Sequence, residues 1–434
     1  MEKRMDEMIK IFKELTKIPH CSGQTEALKN YIEAFAQRCG YHVQYDQAGN
    51  IMAYAKDSLI TFQAHYDMVC IGKAPEIEIV INDGWMSAKE SSLGADNGMG
   101  VAMMLYLMEK GAKADFLFTN DEEIGLIGAD RLELSIKTPL MINLDSEELG
   151  KVYIGCAGGE DIFVDRTIDW REVEERGEWF RIWAEAPGGH SGVNIADNIP
   201  NALIELAGVI VKNGAMEVAS INGGERINAI PRRAEAVVWV PEGVTPCIEK
   251  PNVHIEPIEQ PSNNRVMKEG RTFVRAIFGF AHGVRSWNRE LDLPQSSINL
   301  AQVMTDEQLK IAFSARAMAN EDLQTLVEQT IAHWEALGFT CRTEGKYPAW
   351  KPVVNQLSQK VLEHYQQIVP DASYAAIHAG LECALFADKF PQLQIVSMGP
   401  TILDPHSDRE RVDLDSVAKV MEVVEWILAD ESIL

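Results

Sequence analysis

The chain predicts an α/β protein in which one layered domain is interrupted by a second, α+β block. Three observations carry this. Strand-length apolar segments alternate with helical periods from the N-terminus to about residue 144. Near residue 178 the order changes to hairpins mixed with helices. After about residue 345 a strand and a long apolar-faced helix return. The domain expectation is therefore 1–178 with 345–434, interrupted by 179–344.

Taken in order, Met5, Met8, Ile9, Phe12 and Leu15 keep helical spacing until Pro19 ends the run. Leu28, Ile32, Phe35 and Ala36 line one face of a second helix, with Gly40 as its stop. The period then shortens to that of strands at 42–45, 51–55 and 59–64, with Ala48-Gly49-Asn50 as a turn. Residues 99–110 are apolar almost all round, so they predict a buried helix ending at Gly111. Strands follow at 115–119 and 140–144, separated by a helical stretch near 127–134. The inserted block reads as strands at 180–186, 216–221, 234–240, 297–303 and 310–317. Its helices fall near 200–211, 267–280 and 321–336, with a Pro- and charge-rich loop at 241–264. A strand at 393–398 and a helix at 414–428 close the pattern.

A chain of 434 residues can bury a full core without staples. Its net charge of −25 argues against nucleic acid or an anionic membrane as partner, since both carry the same sign. The seven cysteines are odd in number and none are spaced CxxC, which predicts neither a disulfide framework nor a zinc ribbon. Cys70 reads as a small buried hydrophobe. The first residues carry charges throughout and do not read as a secretory signal, and the apolar run Val101–Met108 is too short to span a bilayer. The expectation is a reduced, soluble protein of the cytoplasm.

Metal-ligand residue types recur just past predicted strands: His65 and Asp67 after 59–64, Glu122 and Glu123 after 115–119, and Asp145 after 140–144. His406 lies beyond 393–398 and a Gly-Pro turn. Ligands bind at the carboxyl ends of strands in open α/β sheets, so four strands feeding one edge form a constellation. In His65-x-Asp67 both side chains point the same way from a strand, and the carboxylate can fix the imidazole for a metal. Each element has a plainer reading when taken singly. Acidic doublets are usually solvated, Asp96 in GADNG suits a helix N-cap, and His190 and His406 sit in turns where structural or solvated histidines are common.

The segments HYDMV, LGADNGMGVA, NDEEIGLIGA, NLDSEELGKVYIGCAGG, GGHSG, RINAIPR, IHAGLECALF and SMGPTILDPHS together resemble the aminoacyl-histidine dipeptidases. These carnosine-hydrolysing enzymes belong to the di-zinc peptidases that include carboxypeptidase G and the aminoacylases. The resemblance runs from about residue 5 to 430. It implies a zinc-peptidase-like α/β/α catalytic domain with an inserted α+β lid. It also implies two divalent metal ions, zinc first, with manganese or cobalt as alternatives.

Carried over residue by residue, one metal falls to His65, Asp96 and Asp145, and the other to Asp96, Glu123 and His406. Asp96 becomes the bridge, replacing its N-cap reading, and the peptide after it is cis in relatives. Asp67 orients His65, and Glu122 is the general base for a bridging hydroxide. His190 would stabilise the oxyanion, Arg316 would clamp the substrate's carboxylate, and Asn228 would add a polar contact. His378 and Glu382 fall near the site without a role. The implied activity is metal-dependent hydrolysis of dipeptides, Xaa-His among them, with a small peptide as partner. A homodimer through the inserted domain stays open. Two alternatives stand beside it: a broader peptidase or N-acyl amino acid amidohydrolase with the same centre, and a non-catalytic binding relative.

Overall fold

The computed structural model describes residues 2–430 and 432–433. The chain forms two compact units. The first is Met1–Gly155, Trp350–Ala376 and Leu381–Leu434, and the second is Cys156–Ala349 with Ile377–Gly380. The first crossing thus falls at Gly155, ahead of the expected 178. The reason is the strand Gly158–Thr167, which pairs along its length with Gln308–Ala317 in the second unit's sheet.

The first unit is built on an eight-stranded sheet. Its order is His42–Tyr45, Ile51–Tyr54, Asp115–Thr119, Ile60–His65, Leu140–Asn143, Gln394–Ser397, Lys151–Cys156 and Ser373–Ile377. The four strands from Asp115–Thr119 to Gln394–Ser397 run parallel, so their carboxyl ends share one edge. The first three of these are buried on both faces, which explains the apolar runs Phe116–Phe118 and Leu140–Ile142, while Ile60–His65 alternates apolar residues with buried polar ones. The helix Ala95–Glu109 is buried nearly all round. Phe12, from the N-terminal helix Glu2–Leu15, lies where a side chain on Gly98 would have to stand.

A smaller sheet in this unit joins Ile402–Leu403, Arg411–Asp413, Trp85–Ala88 and Ile79–Asn82. The first two pair antiparallel, so residues 404–410 form the loop of a hairpin. The hairpin Ile79–Asn82 and Trp85–Ala88 has no counterpart in the expected elements. The helical stretch expected at 127–134 shortens to Ile127–Asp130.

One expectation fails outright. Cys21 and Cys70 form a disulfide, so Cys70 is not a lone buried hydrophobe. The bond is absent from the spacing pattern because its partners lie 49 residues apart and are joined by tertiary pairing. Cys21 bridges Met68 as a strand would, and Met68 N donates to the carbonyl of His20 at 3.1 Å.

The second unit is a nine-stranded antiparallel sheet covered by the helices Ala202–Lys212, Gly270–Gly279 and Asn320–Glu335. Strand Arg233–Pro241 alternates exposed and buried positions, the period-2 pattern of a sheet with one face packed. The long loop expected at 241–264 contains the strand Val253–Ile258.

Candidate metal centre

The shared edge of the parallel strands is prepared by a polar tier one step before it. Gln63, Asn143 and Ser397 are register partners on adjacent strands, and all are buried. Gln63 Nε2 donates to Thr119 Oγ1 at 3.0 Å and to Glu382 Oε2 at 2.6 Å. Asn143 bonds Gln63 on one side and accepts from Ser397 on the other. Gln63 and Asn143 each precede a proposed ligand by two residues and so share its face of the sheet. A continuous set of hydrogen bonds therefore fixes the backbone from which His65 and Asp145 project.

On that base, His65 is fully enclosed. Its Nδ1 lies 3.1 Å from the Asp67 carbonyl and 3.5 Å from Asp67 Oδ1. Its Nε2 lies 3.2 Å from Asp96 Oδ1 and 3.1 Å from Asp145 Oδ1. His406 Nε2 lies 3.1 Å from Asp96 Oδ2 and 2.9 Å from Glu123 Oε2. Asp96 thus turns one oxygen to each histidine. Three sets of potential ligand atoms cluster here: His65, Asp96 and Asp145; Asp96, Glu123 and His406; and His65, Glu122 and Glu123.

Local structure explains how each side chain arrives. Asp96 follows Gly94, whose φ of 72° suits glycine, and the Asp96–Asn97 peptide is cis. Asn97 donates to Asp145, and a side chain on Gly100 would meet Asn97 Oδ1 at 2.0 Å, so the helix can pass only as glycine there. Asp67 ties several segments together. It accepts from Ser22 Oγ at 2.7 Å, from Glu122 N at 3.0 Å and from Glu123 N at 3.3 Å. His406 sits at φ 55° in the 404–410 loop, a conformation costly for a non-glycine residue. The loop is braced by Arg411 Nη1 on Asp404 at 2.7 Å.

The electrostatics follow from packing carboxylates out of water. Burial would lower His65, but the carboxylates of Asp145, Asp67 and Asp96 outweigh it and hold the imidazole well above its usual range. Hydrogen bonds to Asp96 and Glu123 push His406 up to about 11. Burial pushes Glu123 up to about 7 and lifts Glu122 well above the carboxylate range, Asp145, Glu123 and Glu382 adding to the latter. Asp96 goes the other way: burial opposes ionisation, yet His406 and His65 hold it below the usual range. Each histidine thus has its proton affinity raised by the carboxylates it faces. Glu123 Oε1 is buried without a hydrogen-bond partner. A bare oxygen in a set of Asp, Glu and His side chains without thiolate fits divalent cations such as zinc, manganese or cobalt.

Three contributors had no place in the expected set. Ser22 touches Asp67 from a segment with no signal of its own. Glu147 is pushed up to about 9 by burial and by Asp96 and Asp145. Glu410 is buried and bonded to the Asp96 segment, and nothing in its charged surroundings Asp408-Arg409-Glu410-Arg411 sets it apart in the sequence. Glu382 is fully buried, with Oε1 unpartnered.

The remaining candidates lie in the second unit. His190 Nδ1 accepts the amides of Gly192 at 3.2 Å and Val193 at 3.1 Å, which leaves the ring proton to Nε2. Arg316 is buried, with Nη1 donating to Tyr347 Oη at 2.6 Å and Nε unpartnered. A side chain on Gly192 would stand 3.2 Å from both His190 Cε1 and Arg316 Nε, so the two lie in one neighbourhood. Asn228 is exposed, and its carbonyl accepts from Ser191 N. His378 pairs with Ser297 Oγ at 2.8 Å.

Residues 48–154 match Peptidase family M28. The crystal structure of aminoacylhistidine dipeptidase from Vibrio alginolyticus superposes with a TM-score of 0.80 at 28% identity, covering 97% of this chain and 96% of that one. An M20 family metallo-carboxypeptidase from Sulfolobus solfataricus shares the fold, with a TM-score of 0.57 at 16% identity over 99% of this chain and 100% of its own. The cytosol non-specific dipeptidase of Escherichia coli (strain K12) is 30% identical over 97% of this chain and 96% of its own length. Agreement at that identity across both domains, over a site of clustered acids and histidines, means that the chain belongs to the family of these dipeptidases.

Proposed function

We propose that this chain hydrolyses dipeptides, Xaa-His among them, at a centre of two divalent metal ions. The observation that carries the reading is Asp96, with one carboxylate oxygen facing His65 and the other facing His406. His65, Asp96 and Asp145 would hold one ion, and Asp96, Glu123 and His406 the other, with zinc the first choice. Bound ions supply acidity to a water and polarise the scissile carbonyl. Asp67 holds the His65 ring through Nδ1 and braces the backbone of Glu122 and Glu123. The Glu122 carboxylate takes a proton from the attacking water and gives one to the leaving amine.

In the second unit, which we read as the lid domain, His190 would serve as a donor to the developing oxyanion through Nε2. Arg316 would receive the substrate's terminal carboxylate, and Asn228 a further polar contact. No helix among the described residues is long and apolar enough to cross a membrane. The similarity to a cytosol dipeptidase of Escherichia coli supports a cytoplasmic site of action.

The test is hydrolysis of β-Ala-His, Gly-His, Leu-Gly and an acetylated amino acid by metal-replete protein, wild type and Glu122→Gln. Cleavage of the dipeptides with kcat about 100- to 10,000-fold lower in the variant is expected. Preference for the acetylated amino acid would shift the reading to an amidohydrolase. Absence of any turnover would leave a binding relative.

A further inference from the structure

The helix Ala95–Glu109 is broken at its start, where Asp96 and Asn97 leave helical φ/ψ, and it has no cap of its own. Its N-cap is Gly94, which has no side chain to offer. The leading amides of any helix lack partners inside it. The amides of 93–96, which that break leaves outside a regular helix, are likewise without helical partners and are buried, because Leu93 and Ala95 are fully enclosed. Asp96, the acid at the start of the helix, turns its carboxylate to His65 and His406 instead.

The orphan amides converge on a residue more than 300 positions away. Leu93 N and Gly94 N donate to Glu410 Oε2 at 2.7 and 2.9 Å, and Ala95 N and Asp96 N donate to Oε1 at 2.7 and 3.2 Å. Glu410 is 2% exposed, so water does not share in this. A carboxylate is suited to the place: it offers acceptors only, and its charge is met by four converging amide dipoles. Glu410 also ends the hairpin loop that carries His406.

We propose that Glu410 is a positioning residue for the metal centre, relieving Asp96 of the capping role so that both Asp96 oxygens are free for metal. One loop then delivers His406 and at the same time fixes the segment that presents Asp96. This rests on the reading of Asp96 and His406 as ligands. Glutamine at 410 keeps one acceptor oxygen but turns an N–H towards two amides that can only donate. The Asp96 segment then loses part of its seat while every ligand stays in the chain.

The experiment titrates metal-free wild type and Glu410→Gln with Zn2+ by calorimetry, alongside thermal melts of both metal-free proteins. Two equivalents bound by wild type, and affinity about 10- to 100-fold weaker in the folded variant, are expected. A purely structural role would lower the melting temperature of the metal-free variant and leave its metal affinity intact; that result overturns the proposal. Wild type that takes up no divalent ion overturns the metal centre itself, and this inference with it. If Glu410→Gln does not fold, hydrogen exchange at the amides of 93–96 in metal-free wild type decides. Slow exchange before any metal is added is expected. Exchange at the rate of an open loop, slowed only by Zn2+, would show that the ion orders the segment and would overturn the proposal.

Discussion

The two units surround their histidines with different neighbours and do opposite things with them. In the first, His65 and His406 face carboxylates brought from separate strands, and their proton affinity rises. In the second, burial pushes His282 down to about 4. Burial and the Arg316 guanidinium push His378 down to about 3. His378 pairs with a serine hydroxyl, and His282 Nδ1 accepts the amide of Leu300. Burial alone therefore does not fix the character of a histidine; the groups sharing its cavity do. The first unit stores unbalanced negative charge that cations can relieve, and the second stores neutral rings and an unpaired guanidinium edge.

The largest expected effect that could break this comparison is metal removal. A site that binds only the folded state adds stability by mass action, about 4 kcal/mol at a thousandfold excess over Kd. On chelation, hydrogen exchange should quicken at 60–65, 115–123, 140–145 and 404–410, and stay unchanged at 293–317. Equal quickening in both units would contradict a stabilisation confined to the first.

Next comes pH, where the units should respond with opposite sign. His282 and His378 bind protons less well folded than unfolded. Their contribution to the second unit is therefore present above about pH 6.5 and lost as pH falls towards 4, at a cost of roughly 3 kcal/mol for each. Glu382 in the first unit is pushed up to about 8 by burial, with Asp145 adding to it. Its contribution is full below about pH 4.5 and lost as pH rises through 8. Region-resolved exchange of metal-free protein at pH 8 and pH 5 should show the second unit loosening on acidification and the Glu382 neighbourhood tightening. The same sign in both would end the contrast.

The smallest effect sharpens it. Tyr347→Phe removes the hydroxyl that accepts from Arg316, worth about 0.5–1.5 kcal/mol. If Arg316 seats a carboxylate, KM for a dipeptide should rise about 2- to 10-fold with kcat unchanged. A fall in kcat at constant KM would instead place Tyr347 in the chemical step.

Much of the first unit was legible because its signals are local. A parallel strand buried on both faces reads as an apolar run, and HYD, NDEE and NLD mark where such runs end. The same locality misled at Asp96, where turn chemistry suggested a cap that Glu410 provides instead. Ser22, Glu410 and the Cys21–Cys70 pair were hidden because each acts on a partner distant in the chain. The hairpin at 79–88 was hidden because Val80, Ile81 and Asn82 stand exposed and its strands lack apolar alternation. In the second unit the strand Gly158–Thr167 was missed because it follows Lys151–Cys156 almost without a break yet belongs to another sheet.

The Cys21–Cys70 bond has a consequence for the unfolded chain. It closes a ring of about fifty residues, which lowers the entropy of the denatured ensemble and so favours folding by about 4 kcal/mol in the chain-entropy description. That ring contains His65 and Asp67 and excludes Asp96, Glu122, Glu123, Asp145 and His406. The stability of the sheet edge is consequently tied to the thiol chemistry around the protein. In a glutathione-rich compartment reduction to two thiols would open the ring, and the same sequence would hold His65, Asp67 and the Ser22 segment against a larger entropy of unfolding.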